Sequence, residues 1–148
     1  MRWSRKKPLA AGDAVPDLRL ELLGGGEEPL RSAGRTVLAF FKVTCPVCQF
    51  ALPYLARIHP AVKVRAVSQN DAADSAEFAR YYGVTYPMLL DPEDDFPASN
   101  AFGIDHVPAI FIVDDGRIER VINGWSRDEM LALGALRQDE NVPAWKAG

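Results

Sequence analysis

Cysteine is scarce in this chain: there are two in 148 residues, three positions apart. A small extracellular domain held together by disulfides needs more of them, spread along the chain. A bridge between neighbours this close would restrain almost none of the unfolded chain. Histidine is equally sparse, with only His59 and His106. Neither has a His-x-His partner, and no second Cys-x-x-Cys accompanies the first, so the four N/S ligands of a structural zinc site are missing. No metal and no cofactor is expected. No apolar run approaches the roughly 18 residues of a membrane span; the longest, 37–41 and 109–113, have strand length. The net charge of −3 comes from acids and bases scattered along the chain. With no basic stripe, a nucleic-acid partner is not expected. The first eight residues are basic, but Asp13, Pro16 and Asp17 follow in place of an apolar segment. As written, the chain carries no export signal. The expectation is work in the cytoplasm, or an exported form from which a leader was removed.

What is present reads as strands alternating with helices. A flexible arm is expected over 1–16, one α/β domain over 17–138 and a loose tail over 139–148. Leu18, Leu20 and Leu22 alternate with charged residues, the period of a half-buried strand, and Gly24-Gly25-Gly26 ends it. Thr36 to Phe41 is apolar on both faces, as a strand covered on both sides should be. From Cys45 the spacing turns helical and continues through Ile58, with Pro46 suited to the first turn and Pro53 inside the pattern. A strand over 62–67, a helix over 71–82 capped by Asp74 or Ser75, and a short strand over 87–90 follow. A short helix is expected over 98–102. A hairpin then turns at Asp114-Asp115-Gly116 between strands 108–113 and 117–123. Ser126 caps a last helix running to Gln138. This order predicts a three-layer α/β/α sandwich around a mixed sheet.

The chemistry points to Cys45 and Cys48. Two intervening residues let the sulfurs meet across one helical turn. The first cysteine lies at a helix N-terminus, where free backbone N–H groups and the positive end of the dipole favour a thiolate. The thiolate is the attacking species in disulfide exchange. Cys45 is therefore expected as the nucleophile and Cys48 as the resolving thiol.

Cys45-Pro46-Val47-Cys48 after an apolar strand, with Pro53 five residues beyond the second cysteine, resembles the thioredoxin superfamily. The stretch from Val107 through Pro108 to Ile118 looks like that family's cis-proline strand and hairpin. The similarity covers roughly Gly12 to Leu136. The extra helix and strand over 71–90 are similar to the insertion of the TlpA-like and peroxiredoxin-like (AhpC/TSA-like) branches. The resemblance implies a thioredoxin-like fold and a thiol–disulfide oxidoreductase, a disulfide reductase by preference. Its partners would be a protein or small-molecule disulfide substrate and an upstream dithiol reductant. It also implies that Pro108 is a cis-proline facing the cysteines and that Val107 helps hold the substrate backbone, with Thr44 beside them. An X–Pro bond is the one common place for cis geometry. Three positions depart from the family pattern. Thr44 replaces a tryptophan, and Ala39 and Ala51 stand where acids would take the proton of the resolving thiol. Lys42, Glu77 or water are the alternatives.

Other classes compete with this reading. In a peroxidase, Cys48 would be the peroxidatic cysteine of a Pro-x-x-x-Thr-x-x-Cys motif. However, its third predecessor is Cys45, and no proline stands in 41–44. A redox-inactive binding domain would keep the fold without the chemistry. His106 is either a groove residue or a surface histidine. Trp125 either borders the groove or packs in the core, the commoner use of tryptophan. Glu93-Asp94-Asp95 reads as a solvated loop.

Overall fold

The computed structural model describes residues 7–148; the first six residues of the expected arm lie outside them. The elements are β1 (Arg19–Leu22), β2 (Glu27–Pro29), β3 (Arg35–Phe41), α1 (Pro46–Leu55), β4 (Lys63–Ser68), α2 (Ala72–Tyr82) and β5 (Met88–Leu90). They continue with α3 (Pro97–Phe102), β6 (Ala109–Asp114), β7 (Arg117–Asn123), β8 (Trp125–Ser126), α4 (Arg127–Leu133) and β9 (Trp145–Lys146). Seven strands form one mixed sheet in the order β2-β1-β5-β4-β3-β6-β7. β3 lies parallel to β4 and antiparallel to β6.

Side chains on a strand alternate between faces, and β3 shows what covers each one. Phe41 meets Phe78 of α2 at 4.6 Å between ring centres. The adjacent Phe40 meets Phe102 of α3 at 4.8 Å on the other face, with Phe111 closing the group. Tilted and edge-on aromatic pairs of this kind add about 0.5–1.5 kcal/mol each beyond the area they bury. Residues 37–41 are all fully buried, so β3 is the middle of a three-layer α/β/α sandwich. Its last residue hands the chain to the cysteine loop.

Several boundaries differ from the sequence reading, each for a local reason. Asp71, not Asp74 or Ser75, caps α2: its carboxylate accepts the N–H of Asp74 at 2.8 Å while its own backbone stays extended. α1 stops at Leu55 rather than Ile58. The next N–H groups reach back three residues, Ala56 to Pro53 and Arg57 to Tyr54, and tighten the end into a turn. α4 stops at Leu133 because Gly134 takes a left-handed conformation at φ +82°.

The expected arm and tail are both tied down where they are described. Val15 is fully buried, and Leu9, Gly12 and Val15 donate backbone hydrogen bonds to Phe102, Ile118 and Gly116. In the tail, Trp145–Lys146 forms β9 and pairs antiparallel with β8 in a separate two-stranded sheet. Among the described residues no helix is long and apolar enough to cross a membrane.

Candidate active site

Cys45 is the N-cap of α1. Its extended backbone (φ −85°, ψ 114°) leaves the side chain facing the first turn, and its sulfur accepts the backbone N–H of Cys48 at 3.1 Å. No acid lies in that turn, so the orphan N–H groups of the helix start are the charge that Cys45 meets there. The loop leading into Cys45 is held on both sides of one residue, Val43. Val43 donates its N–H to Asn70 Oδ1 at 3.0 Å, and its carbonyl accepts from Gln49 Nε2 at 2.9 Å. Neither residue stands out in the sequence reading. Gln49, four residues after Cys45 and so one turn along the same helix face, carried the one available signal. Asn70 is separated from the site by a whole strand and gave none.

The Val107–Pro108 peptide bond is cis. It places the Val107 carbonyl oxygen 3.6 Å from Cys45 Sγ, where the thiol donates to it. Cys45, Cys48, Val107 and Pro108 therefore converge, although 62 residues separate Cys45 from Val107. Thr44 sits exposed on the outer side of the same loop. Cys45 is partly exposed, whereas Cys48 is fully buried beneath it, and no bond joins the two sulfurs. Burial pushes the Cys48 thiol well above its ordinary range. A hydrogen bond with Cys45 and the proximity of its charge push the same way, against a smaller opposing contribution from the Lys42 backbone. The two thiols are thus unlike: one is presented at a helix terminus, the other is kept protonated in the core.

Ala39 and Ala51 are both fully buried, so neither position offers a carboxylate to Cys48. Glu77 lines a cleft of about 310 Å³ with Val43, Gln49, Asp74 and three aromatic residues of α2, beside the cysteine loop. His106 lies in the loop between α3 and β6, just before the cis-proline. It contacts the Asp105 carboxylate at 2.7 Å and lines a different cavity, with Pro8, Leu9 and Gly103. Trp125 is a packed aromatic, fully buried against Phe50 and Tyr54 of α1. No cluster of three or more potential metal ligands occurs among the described residues.

A cysteine pair at the first turn of α1, under a cis-proline loop on a mixed sheet, defines a thioredoxin-like oxidoreductase site. The chain belongs to the AhpC/TSA family, whose model matches residues 11–121. It is 30% identical to the thiol-disulfide oxidoreductase ResA of Geobacillus kaustophilus (strain HTA426), over 82% of this chain and 74% of that protein. The structure of MTB dsbF in its mixed oxidized and reduced forms superposes with a TM-score of 0.68 at 27% identity, covering 80% of this chain and 96% of that one. The thioredoxin domain of a thiol-disulfide oxidoreductase from Bacteroides vulgatus gives a TM-score of 0.71 at 21% identity, over 79% and 91% of the two chains; it supports the fold. The protein is an enzyme of the thiol–disulfide oxidoreductase class.

Proposed function

We propose that this oxidoreductase acts as a disulfide reductase, with Cys45 as nucleophile and Cys48 as resolving thiol. The observation that carries the proposal is the difference in depth between the two sulfurs. Cys45 is reachable and faces the helix N-terminus, and Cys48 lies fully buried beneath it.

The Cys45 thiolate attacks one sulfur of a substrate disulfide, forms a mixed disulfide and releases the first substrate thiolate. Cys48 then gives up its proton and attacks Cys45 Sγ. The second substrate thiolate leaves, and the protein holds a Cys45–Cys48 disulfide. Two electrons have passed to the substrate, and an upstream dithiol reductant returns the pair to the reduced form. Val107, Pro108 and Thr44 are proposed to hold the substrate chain across Cys45. The substrate class is a protein disulfide. With alanine at 39 and 51, the proton of Cys48 has no buried carboxylate to go to, which favours a long-lived mixed disulfide. The burial of Cys48 also weighs against a peroxidase, because a peroxidatic sulfur must be an accessible thiolate.

The test is trapping. Cys48→Ser should accumulate covalent complexes with disulfide-bearing proteins, and Cys45→Ser should accumulate none. The reverse pattern would overturn the assignment, as would rapid peroxide turnover that needs Cys48 alone. A reduction potential below about −200 mV is expected for a reductase; a value near −120 mV would make the pair an oxidant.

A further inference from the structure

The tail after α4 runs along Trp125 and reaches the cis-proline loop beside Cys45. The Pro143 carbonyl accepts from Trp125 Nε1 at 2.7 Å, and the Ala144 carbonyl accepts the Arg127 N–H at 2.9 Å. Trp145 and Lys146 pair antiparallel with Ser126 and Trp125. Beyond them the backbone passes so close to Gly124 that a Cβ there would lie 2.2 Å from the Lys146 carbonyl oxygen. At Gly148 it reaches the cis-proline loop, where an added Cβ would stand 2.3 Å from the Val107 oxygen. That oxygen is also the acceptor of the Cys45 thiol. Gly148 of the tail thus lies close beside the atom that the Cys45 thiol contacts.

Two features indicate that the tail is placed there but not locked. Its residues 143–148 are all exposed, and Trp145 is 65% exposed although it is a large aromatic. It is also held outside the seven-stranded sheet, by a two-residue ladder and two flanking hydrogen bonds. Segments with few buried apolar contacts open at low cost.

We propose that residues 143–148 form an internal strap that occupies the strip on which an extended polypeptide must lie to present its disulfide to Cys45. The strap admits small disulfides and must swing away for protein substrates. The proposal rests on the reading of Val107 as the residue that receives substrate backbone. A bound chain and the strap would compete for the same space beside that oxygen, so substrate displaces strap. Glycine at 148 lets the strap approach Val107, and glycine at 124 lets it cross.

The experiment compares the unsubstituted protein with two variants, Gly148→Val and Lys146→Pro, both at exposed positions outside the large sheet. Modification of Cys45 is followed with iodoacetamide and with a bulky polyethylene-glycol maleimide, and the modified residue is assigned by mass spectrometry. Reduction of insulin and of a small aromatic disulfide is followed alongside. Both variants should react about fivefold or more faster with the bulky reagent and with insulin, a change within the range of modest shifts in an opening equilibrium. Iodoacetamide and the small disulfide should change less than about twofold. Unchanged bulky-reagent rates in two variants with native circular dichroism would overturn the strap. If those rates rise while neither wild type nor variants reduce any disulfide, the strap stands and the reductase reading falls.

Discussion

Cys48 donates its backbone N–H to the sulfur of Cys45 at 3.1 Å, while its own thiol is sealed in the core. One residue therefore supports the Cys45 sulfur with its backbone while its own side chain stays in the core.

The sealed thiol gives the reduced protein an alkaline weakness. The folded-state pKa of Cys48 is raised above its ordinary 9.0 by burial. Its contribution to stability is fully present below pH 9 and is lost as pH rises further, because the unfolded chain releases that proton first. The urea midpoint of the reduced protein should fall between about pH 7 and about pH 10. Cys48→Ala should fall less over the same range, and an equal fall would count against a buried protonated thiol.

A second pH effect lies at the base of the tail. Arg57 on the turn after α1 grips Glu140 with two bonds, at 2.5 and 3.1 Å. The Arg137 N–H adds a third at 2.8 Å. The guanidinium first, and this N–H next, pull the Glu140 carboxyl down to about 2 from its ordinary 4.5. The clamp is therefore complete above pH 4.5 and is lost as pH falls toward 2. Glu140→Gln should lower the melting temperature at neutral pH, and the difference from wild type should close over that acid window. A difference that persists at the acid end would remove Glu140 as the titrating group.

Arg65 provides a test of the fold's far side. It is 1% exposed, and its guanidinium serves the Pro29 and Leu30 carbonyls at 2.6 and 2.7 Å and Glu28 at 3.3 Å. Arg65→Ala would take the guanidinium from two carbonyls and leave Glu28 with the Lys63 ammonium at 3.9 Å, at a cost of about 3 kcal/mol. Chemical denaturation should show that loss. Because the side chain points to β2 and not to the cysteines, the rate of disulfide reduction by the remaining folded protein should stay near wild type.

The placement of the cysteine loop was legible because its signals are local: an apolar strand, then Cys45, then a helical period. The same holds for Ser126, whose hydroxyl does cap α4. Where two local signals competed, the sequence reading missed. Three acids or hydroxyls cluster at 71–75, and only backbone geometry selects Asp71. Gly134 sits inside a run whose apolar period carries on past it, and its left-handed cap wins. The tail was illegible for a different reason. Trp145 and Lys146 show no alternation, and their partners lie 19 to 21 residues earlier in the chain, so nothing local announces the pairing. Gly124 before a buried tryptophan was the only trace of the crossing chain.

The shortness of β5 has its own consequence. Met88–Leu90 pairs with β4 on one side and with β1 on the other, and through it alone the hairpin of β1 and β2 joins the rest of the sheet. Its partners on β1 lie almost seventy residues upstream, and such distant pairings are slow to close during folding. β1, synthesised well before β5, must therefore wait, unpaired with the rest of the sheet, until the three residues of β5 have docked beside β4. Synthesis order and assembly order run in opposite directions at this edge.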